Sequence, residues 1–167
     1  ASPLVIFSGS IAPSRQPPTT LWKGIIEIAL NSGVSVLLIG GKRDVPIAKE
    51  LMESFPAENL KSVCGKISLR ETIALISQCA GAIASDSGLG HISANLGVST
   101  VSLFGAGDPE VTAPFGNRTK IIFQNVHCSP CNKNQCHNSD EPLLCYTTMD
   151  PGQVWEAYSV ISGSEKS

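Results

Sequence analysis

Short apolar runs of branched and small residues alternate along the chain with stretches whose apolar positions recur every three or four residues. LVIFSG, from Leu4 to Gly9, reads as a buried strand, and TTLWKGIIEIALNSG places Leu21, Ile25, Ile28 and Ala29 on one helical face that ends at Gly33. VSVLLIGG predicts a second strand, VPIAKELMESF the helix after it, and LKSVCG a short third strand. In SLRETIALISQC, Ser68 and Glu71 stand at the spacing of a capping box. GAIASD predicts the next strand, LGHISANLG a short helix stopped by Gly97, and STVSLFG a further strand. After KIIFQN the pattern breaks into a polar, cysteine-rich excursion spanning 127–145, and DPGQVWEAYSVI closes with a helix capped by Asp150, with Pro151 at its first position. Continuous apolar strands alternating with helices predict parallel βαβ units, hence an α/β protein built as a Rossmann-like, doubly wound sheet.

At 167 residues the chain suits one domain with a single good core, and 42% hydrophobic against 16% charged residues describes a folded interior rather than a disordered chain. The formal net charge of −2 supplies no basic field for nucleic acid or an anionic membrane, so an anionic ligand must be gripped locally. No apolar run approaches the roughly 18–20 residues that span a bilayer, and ASPLVIFSGS lacks the basic flank of a signal peptide. These features point to a cytoplasmic protein or a piece of a larger one.

In an open parallel sheet, ligands bind beyond the carboxyl ends of the strands, near the switch in strand order. Four predicted strand ends, FSGS, IGGKRD, ASDSGLGH and LFGAGDP, combine glycine with small polar residues, a composition that lets backbone approach a phosphorylated ligand. In ASDSGLGH, Ser87 and Gly88 would offer a hydroxyl and amides at the positive end of a helix, with His91 facing the same crevice and Asp86 orienting the turn or a ligand hydroxyl. The competing reading makes Asp86 or Ser87 a simple helix cap and leaves His91 on the surface. No GxGxxG fingerprint occurs.

SDSGLGHISANLGVSTVSLFGAGDPEVTAPFG, together with GKISLRETIALISQCAGAIASD upstream, resembles the signature region of the ADP-heptose:lipopolysaccharide heptosyltransferase family, glycosyltransferase family 9. The resemblance runs in order over most of Leu4 to Val160 and implies the C-terminal, donor-binding half of a two-domain GT-B enzyme, with the N-terminal acceptor half missing. It further implies sugar transfer from ADP-heptose or a related nucleotide sugar to the lipopolysaccharide core, at the inner face of the inner membrane, with no cofactor required for transfer. Asp86, Ser87, Gly88 and His91 match the diphosphate and sugar turn, and Asp44 lies near the acid that grips the nucleotide ribose. Ser8 and Ser10 match small residues beside the donor phosphates, and Arg15 takes the place of a basic catalytic residue that neutralises the leaving diphosphate. Three positions depart from the family: Arg15 stands where lysine is usual, Pro17 where an aromatic is, and Gly107 where threonine is frequent. Without the resemblance, Arg15 reads equally as part of a solvated loop and Asp44 as a loop or N-cap residue. A non-catalytic nucleotide- or sugar-binding module is the alternative function, and a metal-stabilised interaction domain a further one.

That last alternative rests on Cys128, Cys131, Cys136 and Cys145, whose C-x2-C-x4-C-x8-C spacing is compatible with a structural zinc site, with His127 and His137 as substitute ligands. Disulfides and reduced thiols that pack a loop remain open beside it. In each case the cysteines are expected to hold a loop away from the phosphate turn. Cys64 and Cys79, isolated in apolar segments, read as small buried hydrophobes.

Overall fold

The computed structural model describes residues 2–56 and 58–163. Six strands, β1 (Leu4–Phe7), β2 (Val36–Leu38), β3 (Leu60–Ser62), β4 (Gly81–Ser85), β5 (Thr100–Phe104) and β6 (Thr119–Phe123), form one sheet in the order β3-β2-β1-β4-β5-β6. Every pairing is parallel, with Leu4 opposite Val36 on one side and Gly81 on the other. This is the doubly wound α/β arrangement that the alternating pattern predicts, and its strand order reverses between β1 and β4. β6, over Thr119–Phe123, is a strand that the apolar pattern alone did not single out; it is only half-buried, at the edge of the sheet.

Both faces of the sheet are covered. Leu4 and Ile6 of β1, Ile83 of β4 and Val101 and Leu103 of β5 enter the larger core beneath α1 (Thr19–Asn31), α2 (Val45–Glu53) and the closing helix. Val5, Phe7, Ala82 and Ala84 point the other way, toward α3 (Leu69–Ile76) and α4 (Gly88–Asn95). Strand alternation thus sorts neighbouring residues into two cores.

The caps follow the sequence. Ser68 and Glu71 form the reciprocal capping box at the start of α3. α5 (Pro109–Thr112) starts at Asp108, α6 (Leu144–Thr147) ends the cysteine-rich loop, and Asp150 accepts from the Gly152 amide at the start of α7 (Pro151–Ser162). Gly33 and Gly97 end α1 and α4 with φ of +76° and +74°, a left-handed conformation that disfavours any side chain with a Cβ.

The buried face of α1 is wider than its periodicity suggests: Trp22 and Ile26 are fully buried, whereas Ile28 is only half-buried. The reason is packing on two sides, since α1 lies on the sheet and also against α7. A Cβ on Gly24 would fall 2.6 Å from Pro151 Cγ, so the two helices meet at a glycine.

Candidate functional site

The reversal in strand order opens a cleft of about 860 Å3 beyond the carboxyl ends of β1, β2 and β4. Ser10, Arg15, Asp44, Asp86, Ser87, Gly88 and His91 all line it. Two hydrogen bonds tie its opposite lips: Ser10 Oγ donates to the Asp86 carbonyl at 3.3 Å, and Ser85 Oγ donates to the Gly9 carbonyl. The cleft floor is therefore held by the loops after β1 and β4 together.

Ser8 is the exception among the expected site residues. It is fully buried, is absent from the cleft wall, and its hydroxyl finds no protein partner. Its sequence parity is that of Leu4 and Ile6, whose side chains enter the core under α1, and this separates it from Phe7 and Gly9 in the cleft wall.

The turn after β4 does more than start a helix. Ser87 occupies the N-cap position of α4 with extended backbone, yet its side chain makes no cap hydrogen bond and its Oγ has no partner. Asp86 does not cap either; its carboxylate faces Arg15, with Oδ2 3.6 Å from Nε. The simple-cap reading therefore fails for both residues. In the first turn of α4 the Gly90 amide donates to the Ser87 carbonyl at 3.2 Å, and the amides before it carry the positive end of the helix dipole, beside the buried, unpartnered Ser87 hydroxyl. A Cβ on Gly88 would meet nothing within 4 Å, so backbone is open to the cleft there. Gly90 serves packing instead: a Cβ would lie 3.1 Å from Ala84 Cβ and 3.3 Å from Ser102 Oγ, which explains how closely α4 rides on β4 and β5. Ser93 Oγ and Thr100 Oγ1, 2.7 Å apart, pair on the same underside.

Asp86 is only 7% exposed, and burial pushes its carboxyl above the ordinary value, while the charges of Arg15 and His91 pull in the opposite direction. Asp86 Oδ2 and Arg15 Nε both lack a hydrogen bond. These two atoms are buried against each other, while the Arg15 side chain as a whole stays 30% exposed and that of Asp86 only 6%. Gly107 makes room for the pair, because a Cβ there would stand 2.2 Å from Asp86 Oδ2 and 3.7 Å from Arg15 Cζ.

Asp44 caps the short 3-10 turn Lys42–Asp44 by accepting from the Gly41 amide at 2.8 Å, so the loop reading holds for part of its role. Its carboxylate also fills the space above two glycines. A Cβ on Gly9 would fall 1.7 Å from Asp44 Oδ1, and one on Gly40 2.4 Å from Oδ2. The acid is set between the loops after β1 and β2, in the wall of the same cleft, where it can accept from ligand hydroxyls.

The structure corrects the placement of the cysteine-rich loop, which lies beside the cleft that the α4 turn lines rather than away from it. Ser129 Oγ donates to the Gly105 carbonyl, the Cys131 and Asn132 amides donate to the Ala106 carbonyl at 3.1 and 2.7 Å, and Asn134 reaches the cleft wall. Cys128, Cys131, Cys136 and Cys145 line a separate cavity of about 300 Å3. All are free thiols, as are Cys64, which is buried, and Cys79, which is half-buried. His127 and His137, the substitute ligands, line the same cavity, and among the described residues no group of three or more His, Cys, Asp or Glu side chains is arranged to hold a metal ion. The sulfurs are engaged locally instead: Leu143 N donates to Cys136 Sγ at 3.3 Å, and Asn138 Nδ2 donates to Cys128 Sγ at 3.6 Å. Burial and the neighbouring thiols push Cys145 up to about 11.

Among the cleft residues that were not foreseen, two are Arg43 and Asn134. Arg43 follows β2 in GGKRD, a strand end already marked by its glycines, and is a cation on the wall near Asp44. Asn134 comes from the cysteine-rich loop, where no local pattern distinguishes it. Among the described residues, no helix is long and apolar enough to cross a membrane.

Known proteins share this architecture. A lipooligosaccharide heptosyltransferase 2 of Haemophilus influenzae is 29% identical over 126 residues, covering 72% of this chain and 36% of the relative. The solved structure of an Escherichia coli ADP-heptose lipopolysaccharide heptosyltransferase II superposes with a TM-score of 0.82 at 21% identity, over 99% of this chain and 48% of that one. The E. coli heptosyltransferase WaaC solved with ADP gives 0.77 at 18% identity, over 96% and 44%. The chain thus spans between a third and a half of the length of these relatives, as one Rossmann-like half of a GT-B protein does. Residues 3–141 match the model of glycosyltransferase family 9 (heptosyltransferase), and the chain belongs to that family.

Proposed function

We propose that this chain is the donor-binding half of a cytoplasmic glycosyltransferase that takes an ADP-sugar, ADP-heptose or a close relative, and serves transfer of the sugar to a lipopolysaccharide core. The observation that carries this reading is the α4 turn. The open Gly88 backbone, beside a buried and unpartnered Ser87 hydroxyl, faces a cleft that also holds Arg15 and His91. Such a cup suits a diphosphate, whose charge is met by helix amides and a guanidinium.

Beside the loops after β1 and β2, Asp44 accepts from the ribose hydroxyls, and the apolar wall formed by Ile39, Ile67 and Leu69 receives the base. Transfer breaks the bond between the sugar's anomeric carbon and the diphosphate oxygen as the acceptor hydroxyl attacks. Negative charge grows on the leaving diphosphate, and Arg15, His91 and the first amides of α4 stabilise it there. Asp86 balances the Arg15 charge through a loose contact at 3.6 Å before the donor arrives. The acceptor and its general base belong to the companion half of the enzyme, which meets the membrane-bound acceptor at the inner face of the inner membrane. Nothing in this chemistry requires a bound cofactor.

Calorimetric titration with ADP, UDP and GDP tests the reading. Preference for ADP, with affinity lowered at least about tenfold in Arg15→Ala through loss of a charge-assisted contact, is expected. Equal affinity for the three nucleotides, or no binding, would reject it.

A further inference from the structure

The cleft and the cysteine cavity are divided by a thin wall made of two adjoining residue pairs. Ser14 lines the cysteine cavity and Arg15 the cleft; Lys133 lines the cysteine cavity and Asn134 the cleft. The pairs are joined twice through one residue. The Ser14 amide donates to the Asn134 carbonyl at 3.1 Å, and Ser14 Oγ donates to the Lys133 carbonyl. Ser14 itself is 2% exposed, whereas Lys133 and Asn134 are exposed on the loop surface. Beyond this contact the loop is pinned to the end of β5 through Ala106, next to Gly107 under the Arg15–Asp86 pair.

We infer that Ser14 is a positioning residue for Arg15, and that the cysteine-rich loop is a working wall of the donor site which acts through it. The argument rests on the donor-binding reading above. Arg15 sits at the end of the 3-10 turn Pro13–Arg15, whose own bonds are the Arg15 amide to the Ala12 carbonyl at 2.9 Å and the Gln16 amide to the Pro13 carbonyl at 3.2 Å. Such a turn is too short to fix a long side chain by itself. Its orientation comes from the doubly anchored Ser14 directly before Arg15. The Arg15 guanidinium makes only a loose contact at 3.6 Å with Asp86 and no hydrogen bond through Nε, so its backbone, rather than its head group, sets where the charge points. The loop therefore supplies the rigid surface from which the charge is aimed at the diphosphate.

The test compares ADP with adenosine, which lacks the phosphates that Arg15 meets, by calorimetry on the 167-residue chain. Ser14→Ala is expected to weaken ADP about fivefold through loss of the buried hydrogen bond while leaving adenosine unchanged. Ser14→Thr keeps the hydroxyl and is expected to recover most of the loss. In an Arg15→Ala background, Ser14→Ala is expected to have no further effect on ADP. Asn134→Gly loosens the exposed residue whose carbonyl accepts from the Ser14 amide, keeps the Ser14 hydroxyl, and is expected to cost about threefold for ADP alone. Equal losses for ADP and adenosine, or an undiminished Ser14→Ala effect without Arg15, would make Ser14 merely structural and overturn the inference. Unchanged ADP affinity in both Ser14→Ala and Asn134→Gly overturns it as well, while leaving the donor reading intact. Failure of the unaltered chain to bind ADP removes the donor reading itself, and this inference with it.

Discussion

Two glycines, Gly107 against the Asp86 carboxylate and Gly88 at the start of α4, should respond oppositely to a methyl group. A Cβ at position 107 would lie 2.2 Å from Asp86 Oδ2 and 3.4 Å from its Cγ. To regain ordinary van der Waals separation the carboxylate must retreat by about 1 Å. It has little room, being 7% exposed and faced by Arg15. Overpacking of this kind costs about 1–3 kcal/mol. For a chain of this size that corresponds to a fall in Tm of about 2–12 °C, taking roughly 2–4 °C per kcal/mol. At Gly88 a Cβ meets nothing within 4 Å, and the residue opens a helix, where alanine is the better former. Gly88→Ala should therefore leave Tm unchanged or raise it slightly. Its methyl group would nevertheless stand in the cleft where the diphosphate approaches the backbone, so ADP binding should fall. Thermal denaturation followed by fluorescence, with and without ADP, reads both quantities at once. Gly107→Ala should lower Tm in either condition; Gly88→Ala should keep Tm and lose the ADP-induced rise. A Gly107→Ala protein as stable as the original, or a Gly88→Ala protein that binds ADP equally well, would refute the geometry assigned to this turn.

Two further outcomes follow from individual side chains. Because burial raises the Asp86 carboxyl above its unfolded value, its ionised form costs stability; the cost is fully present above the folded pKa and fades as pH falls through it toward the ordinary value near 4. Asp86→Asn should thus have the higher Tm at neutral pH, with the gap closing on acidification and ADP binding weakened; a lower Tm for Asp86→Asn at neutral pH would mean that the Arg15 pair outweighs burial. Among the thiols, Cys136 is exposed, whereas Cys145 is buried and raised to about 11, so iodoacetamide at about pH 8 should label Cys136 first and Cys145 late, as read by peptide mass spectrometry. Early labelling of Cys145 in the folded protein would contradict its placement.

The strands were legible because a parallel sheet covered on both faces demands continuous apolar runs, and LVIF and GAIAS are such runs. β6 was not, since an edge strand that is only half-buried carries a lysine and a threonine among its apolar residues. The α4 turn could be read locally, because amides, hydroxyl and histidine lie within a few residues of one another. Ser8 could not be placed that way: one step of alternation turns it from the cleft into the core. The cysteine-rich loop was misplaced for a different reason. Its bond to Ser14 spans 119 positions in sequence, and polar spacing holds no record of so distant a partner. The thiol spacing did bring the four cysteines to one cavity, where backbone and asparagine N–H groups engage two of the sulfurs, partners that the spacing does not record.

The closing helix seats itself on two glycines made much earlier: Pro151 lies against Gly24, and the Tyr158 ring occupies the place of a side chain at Gly81, 2.4 Å from where its Cβ would be. Trp22 and Ile25 share one core with Val154 and Tyr158. During vectorial synthesis on the ribosome, the oily flank of the first helix therefore waits uncovered until well over a hundred further residues have emerged. A nascent chain in that interval is a client for holdase chaperones, and premature termination before Pro151 would yield a sticky, degradation-prone product rather than a smaller working fold.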